Sequence, residues 1–424
     1  VALLLLFLIV SAWIVCFRCF GPFSLVGALL LGFSAYSIPA VAGFYLSPST
    51  RGLAIAPASQ SAVALLAWAW TCAIASLVCG SRFRPAAVHR PSNCYLQWPR
   101  CRDLATLRIF SVVCAALSTA VFLSIVQNEG VLYFLEQRQT VLVESETQKM
   151  LWRWINLFGL ISSLSCRSRF LSALFLSYIA IYFIAGDRTM LLISGVAVLV
   201  FFYDGNRQLT QWKRLVPVVL ALLLGLLVFT GKPLYHAMKT QSLQPLALLF
   251  NDRYAIVNLS FFEPFVSHAI LEDVLRRGFS YPLSDLVTGV AGQLLLVPSA
   301  FGIDSSAFNA RITEDLYPRV RYGMAAHYLA QGWSVGGYTG VAVFVVLLFA
   351  SVFALQHVAN RSGHVARIFI VILGVTAGTY FYRNSMENLL AFLRQIVLVG
   401  AVLIGVSAVL VRQMVPAGER LPCR

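Results

Sequence analysis

The 424-residue chain is predicted to be an all-α, polytopic integral membrane protein. Three observations predict it: 59% of the residues are hydrophobic and only 12% charged, apolar runs of near span length recur, and the basic residues favour alternate loops. Soluble domains carry about 25% charged residues, so a water-soluble globule of this composition could not cover itself with polar groups. A mean hydropathy of +0.79 agrees. A cytosolic enzyme, a disordered chain and a small disulfide scaffold are excluded on the same ground.

A hydrocarbon core of about 30 Å takes roughly 20 apolar residues per helix. Eleven runs qualify in order, at about 1–17, 22–46, 61–80, 107–127, 154–166, 170–185, 189–203, 215–231, 336–358, 368–383 and 392–411. The first, VALLLLFLIVSAWIVCF, lacks a basic leader and a small-residue cleavage site and reads as a span, not a signal peptide. The run 154–166 is short and ends at Cys166-Arg167-Ser168-Arg169, so it tilts or extends back to Trp152. Three regions follow: a bundle of about eight helices over 1–231, a large loop over 232–335, and about three helices with a basic tail over 336–424.

Counting bases loop by loop orients the chain. One set of loops, with the tail, holds 17 Lys and Arg against Asp103, Asp204 and Glu419. The positive-inside rule makes that set cytoplasmic. The nine cysteines fall in spans or in these loops, and no disulfide framework is implied. The short loops opposite are nearly neutral, and the remaining eight bases lie in 232–335, which parity places outside. Within that loop Ala255–Leu275 sets Phe262, Phe265, Val266, Ile270 and Val274 at helical spacing, with Glu263, His268, Glu272 and Arg276 opposite. This is the pattern of a helix lying in the membrane interface. Leu286–Ala300 is apolar but short for a span, closed by Pro298, and fits an interfacial or re-entrant segment.

Phosphate-loop, zinc-protease, nucleophile-elbow and dinucleotide signatures are missing, as is an Asp-x-Asp pair. Neither an ATP-driven pump nor a nucleotide-sugar transferase is favoured. The spans are almost free of acids, with Asp187 and Glu387 at helix ends, which weakens ion-coupled transport. Basic residues scattered between apolar runs also argue against nucleic acid as a partner. What stands out is a set of external arginines: Arg188, Arg253, Arg311, Arg319, Arg321 and Arg383. A guanidinium fork grips phosphate or carboxylate in two places at once, so the group points to a phosphate-bearing ligand at the outer membrane surface.

At these residues the chain resembles the oligosaccharide repeat-unit polymerases, the O-antigen polymerases of the Wzy type. GDRTMLL (Gly186–Leu192) resembles their turn ahead of a span. Arg253, Glu263 and RRGFSYPLSDL (Arg276–Leu286) resemble the opening of their main periplasmic loop, and VPSAFG (Val297–Gly302) its proline motif. The stretch Gln331–Gly340, QGWSVGGYTG, is similar to the loop's end, with Gln331 where the family carries an acid. Arg383-Asn384-Ser385-Met386 resembles the arginine step before the last span.

The resemblance implies a metal-independent glycosyltransferase of the bacterial inner membrane, without cofactor, acting on undecaprenyl-diphosphate-linked oligosaccharide at the periplasmic face. Membrane lipids and a chain-length regulator would be further partners. Arg188, Arg253, Arg321 and Arg383 would neutralise the leaving diphosphate. His327, Glu263 and Asp187 are the candidates to take the proton of the attacking hydroxyl. Asp187 and Arg319 also count as substrate contacts, with Tyr322 and Gln331 for sugar hydroxyls. An O-antigen ligase is the nearest alternative, and a lipid-linked glycan or ion-coupled transporter the alternative of another class.

Overall fold

The computed structural model describes residues 1–49, 52–82, 101–130, 146–184, 187–204, 263–295, 298–303, 307–318 and 327–414, with 219–225 and isolated positions between 227 and 244. Six described helices are long and apolar enough to cross a membrane. They are α1 (Ala2–Cys19), α2 (Leu25–Ala42), α3 (Gln60–Arg82), α4 (Cys101–Glu129, apolar from Leu104), α11 (Tyr328–Arg361) and α13 (Met386–Met414). Between them lie α5 (Glu146–Ser165), α6 (Arg169–Ile184), α7 (Arg188–Tyr203), α8 (Glu263–Arg277), α9 (Leu283–Gly292), α10 (Ala307–Leu316) and α12 (His364–Tyr380). The chain is thus a helical protein with several candidate membrane spans. The predicted run at 215–231 lies largely outside the described residues. Helix α5 runs back past Trp152 to Glu146, which lengthens the short run expected there.

Contacts divide the chain into two interleaved units. The first comprises 1–87, 248–356 and 374–394, and the second 88–247, 357–373 and 395–424.

In the first unit α2 starts where Ser24 caps the amide of Gly27, and it stops at Gly43, whose φ of 81° is left-handed. The amide of Leu25, one of the helix's unpaired first donors, is taken by Gln356 Oε1 at 2.8 Å. Helix α2 meets the end of α12 backbone to backbone: a Cβ on Gly32 would lie 2.6 Å from the Gly378 carbonyl oxygen. Small residues at such a crossing let two apolar helices approach where no hydrophobic drive separates them from lipid. Phe33 anchors the core, with ring centroids 4.5 Å from Trp70 and 5.0 Å from Tyr382.

Two features depart from the expected pattern. After Gly43 the chain forms an antiparallel hairpin, β1 (Phe44–Ser49) and β2 (Gly52–Pro57), registered from Phe44 against Pro57 to Ser49 against Gly52. The expected span at 22–46 therefore ends early, because the left-handed glycine stops the helix. Helix α8 also buries much of the polar face expected to be wet, although Arg276 is exposed. It packs on α2 and β1, and His268, Glu272 and Asp273 are buried along with Phe265, Ile270 and Val274.

Helix α11 is broken. Gly336 and Gly337 leave helical geometry, Gly337 at φ 57°, and the arm 328–335 folds back on the rest. A Cβ on Gly340 would lie 2.1 Å from the Gly332 carbonyl oxygen, although eight residues of straight helix span about 12 Å. Tyr328 ties the fold-back by donating to the Phe344 carbonyl at 3.3 Å. The predicted run 336–358 thus corresponds to the arm after the break.

The second unit is a packed set of helices. Ser111 on α4 donates to Ser162 on α5 at 2.8 Å, and Ser118 bonds Asn156. Arg153 of α5 pairs with Asp187, whose carboxylate also accepts from the Met190 amide and so caps α7. Arg367 reaches the Phe201 carbonyl at 3.4 Å and lies 3.9 Å from Asp204.

Candidate functional site

Three stretches distant in sequence meet around one carboxylate in the first unit. Glu387, in the first turn of α13, is fully buried. Its Oε2 accepts from Gln331 Nε2 at 2.7 Å, and Tyr281 Oη donates to its Oε1 at 3.4 Å. Gln331 in turn accepts from the Met386 amide at 2.7 Å, and the Tyr281 amide donates to the Ser334 carbonyl at 2.9 Å. Helix α9 closes over the carboxylate because position 289 is glycine: a Cβ there would lie 2.7 Å from Glu387 Cγ. Burial, then the Glu387 and Asp285 charges, push the Tyr281 phenol well above its ordinary range, so it remains a donor at physiological pH.

A second polar group sits on α8. Glu272 accepts from the Ser59 amide at 2.7 Å, and His268 Nε2 lies 3.4 Å from the same oxygen. Burial alone would raise the Glu272 carboxyl, but His268 and the Ser59 hydrogen bonds outweigh it and hold the group below the usual carboxylate range. Tyr45 of β1 covers His268, ring centroids 5.5 Å apart. One residue on, Asp273 accepts from Tyr317 Oη at 2.6 Å and pairs with Arg276.

His327 immediately precedes α11. Its ring meets Tyr382 at 5.8 Å and Tyr36 at 6.4 Å, edge to face in both cases. Burial, then the nearby His268 charge, hold its imidazole down at about 3. It is therefore neutral at physiological pH and weakly basic, a hydrogen-bonding group in this conformation.

The predicted site residues distribute as follows. His327 and Gln331 lie one helical turn apart on the folded-back arm of α11, against the turn Phe381–Arg383. Arg383 ends that turn, and its side chain lies outside the described residues. Glu263 begins α8, half-buried. Asp187 and Arg188 belong to the second unit, as cap and first residue of α7. Arg253, Arg319, Arg321 and Tyr322 lie outside the described residues. Arg311 is exposed and pairs with Asp285 at 2.8 Å.

No sequence pattern links Tyr281 or Glu387 to Gln331. The available signal was a pair of facts held apart: an amide where a carboxylate was expected, and a carboxylate at the start of the last span. His268 and Glu272 stand four residues apart on a face that the helical period alone predicts to be wet. Among the described residues no cluster of three or more His, Cys, Asp or Glu could hold a metal ion. No family model, curated protein or solved structure matches this chain.

Proposed function

We propose that this protein is a polysaccharide polymerase that joins undecaprenyl-diphosphate-linked oligosaccharide repeats at the periplasmic face of the bacterial inner membrane. The observation that carries this reading is the convergence on Glu387. Tyr281 from RRGFSYPLSDL, Gln331 and Ser334 from QGWSVGGYTG, and Met386 beside Arg383-Asn384-Ser385 are joined by hydrogen bonds in one unit. Each of these stretches resembles a separate motif of the polymerase family. The reading has eleven spans and a large external loop, with Arg188, Arg253, Arg321 and Arg383 facing the periplasm.

In the proposed reaction a sugar hydroxyl of the incoming lipid-linked repeat attacks the anomeric carbon of the growing chain. The new glycosidic bond forms as the bond to diphosphate breaks, and the diphosphate leaves with the electron pair. Arginine forks stabilise that charge without a metal. The hydroxyl proton passes to a base, for which Glu263 is the candidate, since Asp187 is paired with Arg153 and caps α7. His327, neutral and weakly basic, is better suited to holding a hydroxyl than to deprotonating it.

A lipopolysaccharide gel of a clean deletion tests the reading. A polymerase-null strain carries a single repeat on lipid A core, a ligase-null strain carries none, and loss of an exporter gives no single-repeat product. Complementation with Arg253→Ala at normal membrane abundance is expected to leave only the single-repeat product, and a normal ladder removes Arg253 from the site. Cysteine-accessibility mapping that places positions 188, 253 and 383 toward the cell interior would falsify the periplasmic site.

A further inference from the structure

His327 and Tyr382 are fully buried and in ring contact, yet three of their polar atoms, Nδ1 and Nε2 of His327 and Oη of Tyr382, have no hydrogen-bond partner among the described residues. Buried polar side-chain atoms are nearly always paired, and an orphan calls for a specific cause such as a ligand or ordered water. Here the orphans form a group, comprising the whole polar complement of two touching side chains. His268, beside them, has no well-aligned partner for its ring nitrogens either, although Nε2 lies near Glu272.

The chemistry of the orphans selects the occupant. A neutral imidazole presents one donor and one acceptor, and a phenol presents one donor and an acceptor oxygen. A hydroxyl group, itself donor and acceptor, meets both. A phosphate oxygen takes donors only and would leave the imidazole lone pair facing an anion. A metal ion would need more ligating side chains than are gathered among the described residues. Tyr36, less buried than either, stacks on Tyr382 at 5.0 Å and meets His327 edge-on.

We propose that His327 and Tyr382 bind a hydroxyl group of the acceptor glycan, with Tyr36 flanking them. This rests on the polymerase reading, for which it names the polar, uncharged end of the substrate site, complementary to the arginines assigned to the diphosphate. Because His327 does not titrate near neutrality, binding at this site is expected to be flat between pH 6 and pH 8.

The test uses full-length protein in nanodiscs and the strain's own repeat oligosaccharide, released from its lipid by mild acid, with affinity read by calorimetry. His327→Leu and Tyr382→Phe each remove orphan atoms while keeping most of the volume. Replacing an unpaired buried polar group by an apolar one is neutral or stabilising, so both variants are expected to melt at or above the wild-type temperature. Affinity is expected to fall about threefold to tenfold in each, the worth of a neutral hydrogen bond. Tyr382→Phe, lacking a single oxygen, provides the measurement if the larger change impairs folding. Unchanged affinity in both variants means that only water occupies the site and overturns the proposal, as does a wild-type protein that does not bind the oligosaccharide. A full-length ladder in the deletion strain overturns the polymerase reading instead, and the two failures are read from separate experiments.

Discussion

The two units treat buried acids differently. In the second, Asp187 and Asp204 each face an arginine, Arg153 and Arg367, so charge is answered by charge. In the first, Asp273 also pairs with an arginine, Arg276, but Glu387 is met by an amide, a phenol and a serine hydroxyl, and Glu272 by a backbone amide and a histidine. Pairing with arginine fixes a charge state and gives a helix contact a defined geometry. Surrounding a carboxylate with neutral donors leaves its chemistry open, and groups of that kind concentrate where function lies. The contrast predicts that the arginine-paired acids are structural and that the neutrally surrounded ones belong with the proposed site.

The largest effect expected from this contrast is in the second unit. Arg153→Ala removes the arginine partner of the mostly buried Asp187 carboxylate and is expected to cost about 3 kcal/mol, the usual penalty for removing one member of a buried pair. Adding Asp187→Asn, which removes the carboxylate charge and keeps a capping side chain, should recover most of that loss. Thermal unfolding of the single and double variants in detergent measures both. If the double variant is no better than Arg153→Ala, the pair is not held together by charge and the contrast is broken.

Next in size is Glu387→Ala, which leaves the buried donors of Gln331 and Tyr281 unmet and is expected to cost about 2 kcal/mol. Glu387→Gln retains an amide oxygen for one of them and should cost less. Chain elongation separates function from scaffolding: a Gln variant that is stable but makes only single-repeat product sharpens the comparison, and a stable variant with a full ladder makes Glu387 as structural as Asp187.

Acid provides a third, smaller test. His327 has a folded pKa of about 3 against 6.5 unfolded, so between these values the unfolded chain binds more protons. Its contribution to stability is complete above pH 6.5 and declines as pH falls toward 3. From pH 7 to 5.5 this amounts to about 1 kcal/mol. Glu272, held below its usual range, acts in the same direction but only below about pH 4.5. His327→Leu should therefore flatten the stability profile between pH 7 and 5 and leave the acid limb intact. An unchanged profile would mean that His327 does not control that window.

Much of the helical frame was legible in the sequence, because the cost of unpaired backbone in lipid makes hydropathy and helix nearly synonymous. The break at Gly336-Gly337 was legible only as the start of a span, since hydropathy does not register a reversal made by backbone dihedrals. The hairpin at 44–57 was missed because Gly43 ends α2 inside an apolar run. The burial of α8 was missed for a different reason: a 3.6-residue period shows that a helix has two faces but not what each one meets, and β1 and α2 cover the face that carries His268. Of the site, composition pointed to the arginines and resemblance to Gln331. The Glu387 contact spans 56 residues and lies beyond any local pattern.

Arg311 sets the lower end of the scale. It belongs to the outward arginines that the sequence assigned to anion binding, yet it pairs with Asp285, and both side chains are 44% exposed. An exposed pair contributes little, because water and salt screen it, and Arg311→Ala is expected to cost less than about 0.5 kcal/mol. Since its charge is already answered, as in the second unit, the same variant should leave the length ladder unchanged while Arg253→Ala collapses it. A ladder shortened by Arg311→Ala without loss of protein would show that an exposed pair with Asp285 is given up for substrate, and would move Arg311 from the paired, structural class into the site.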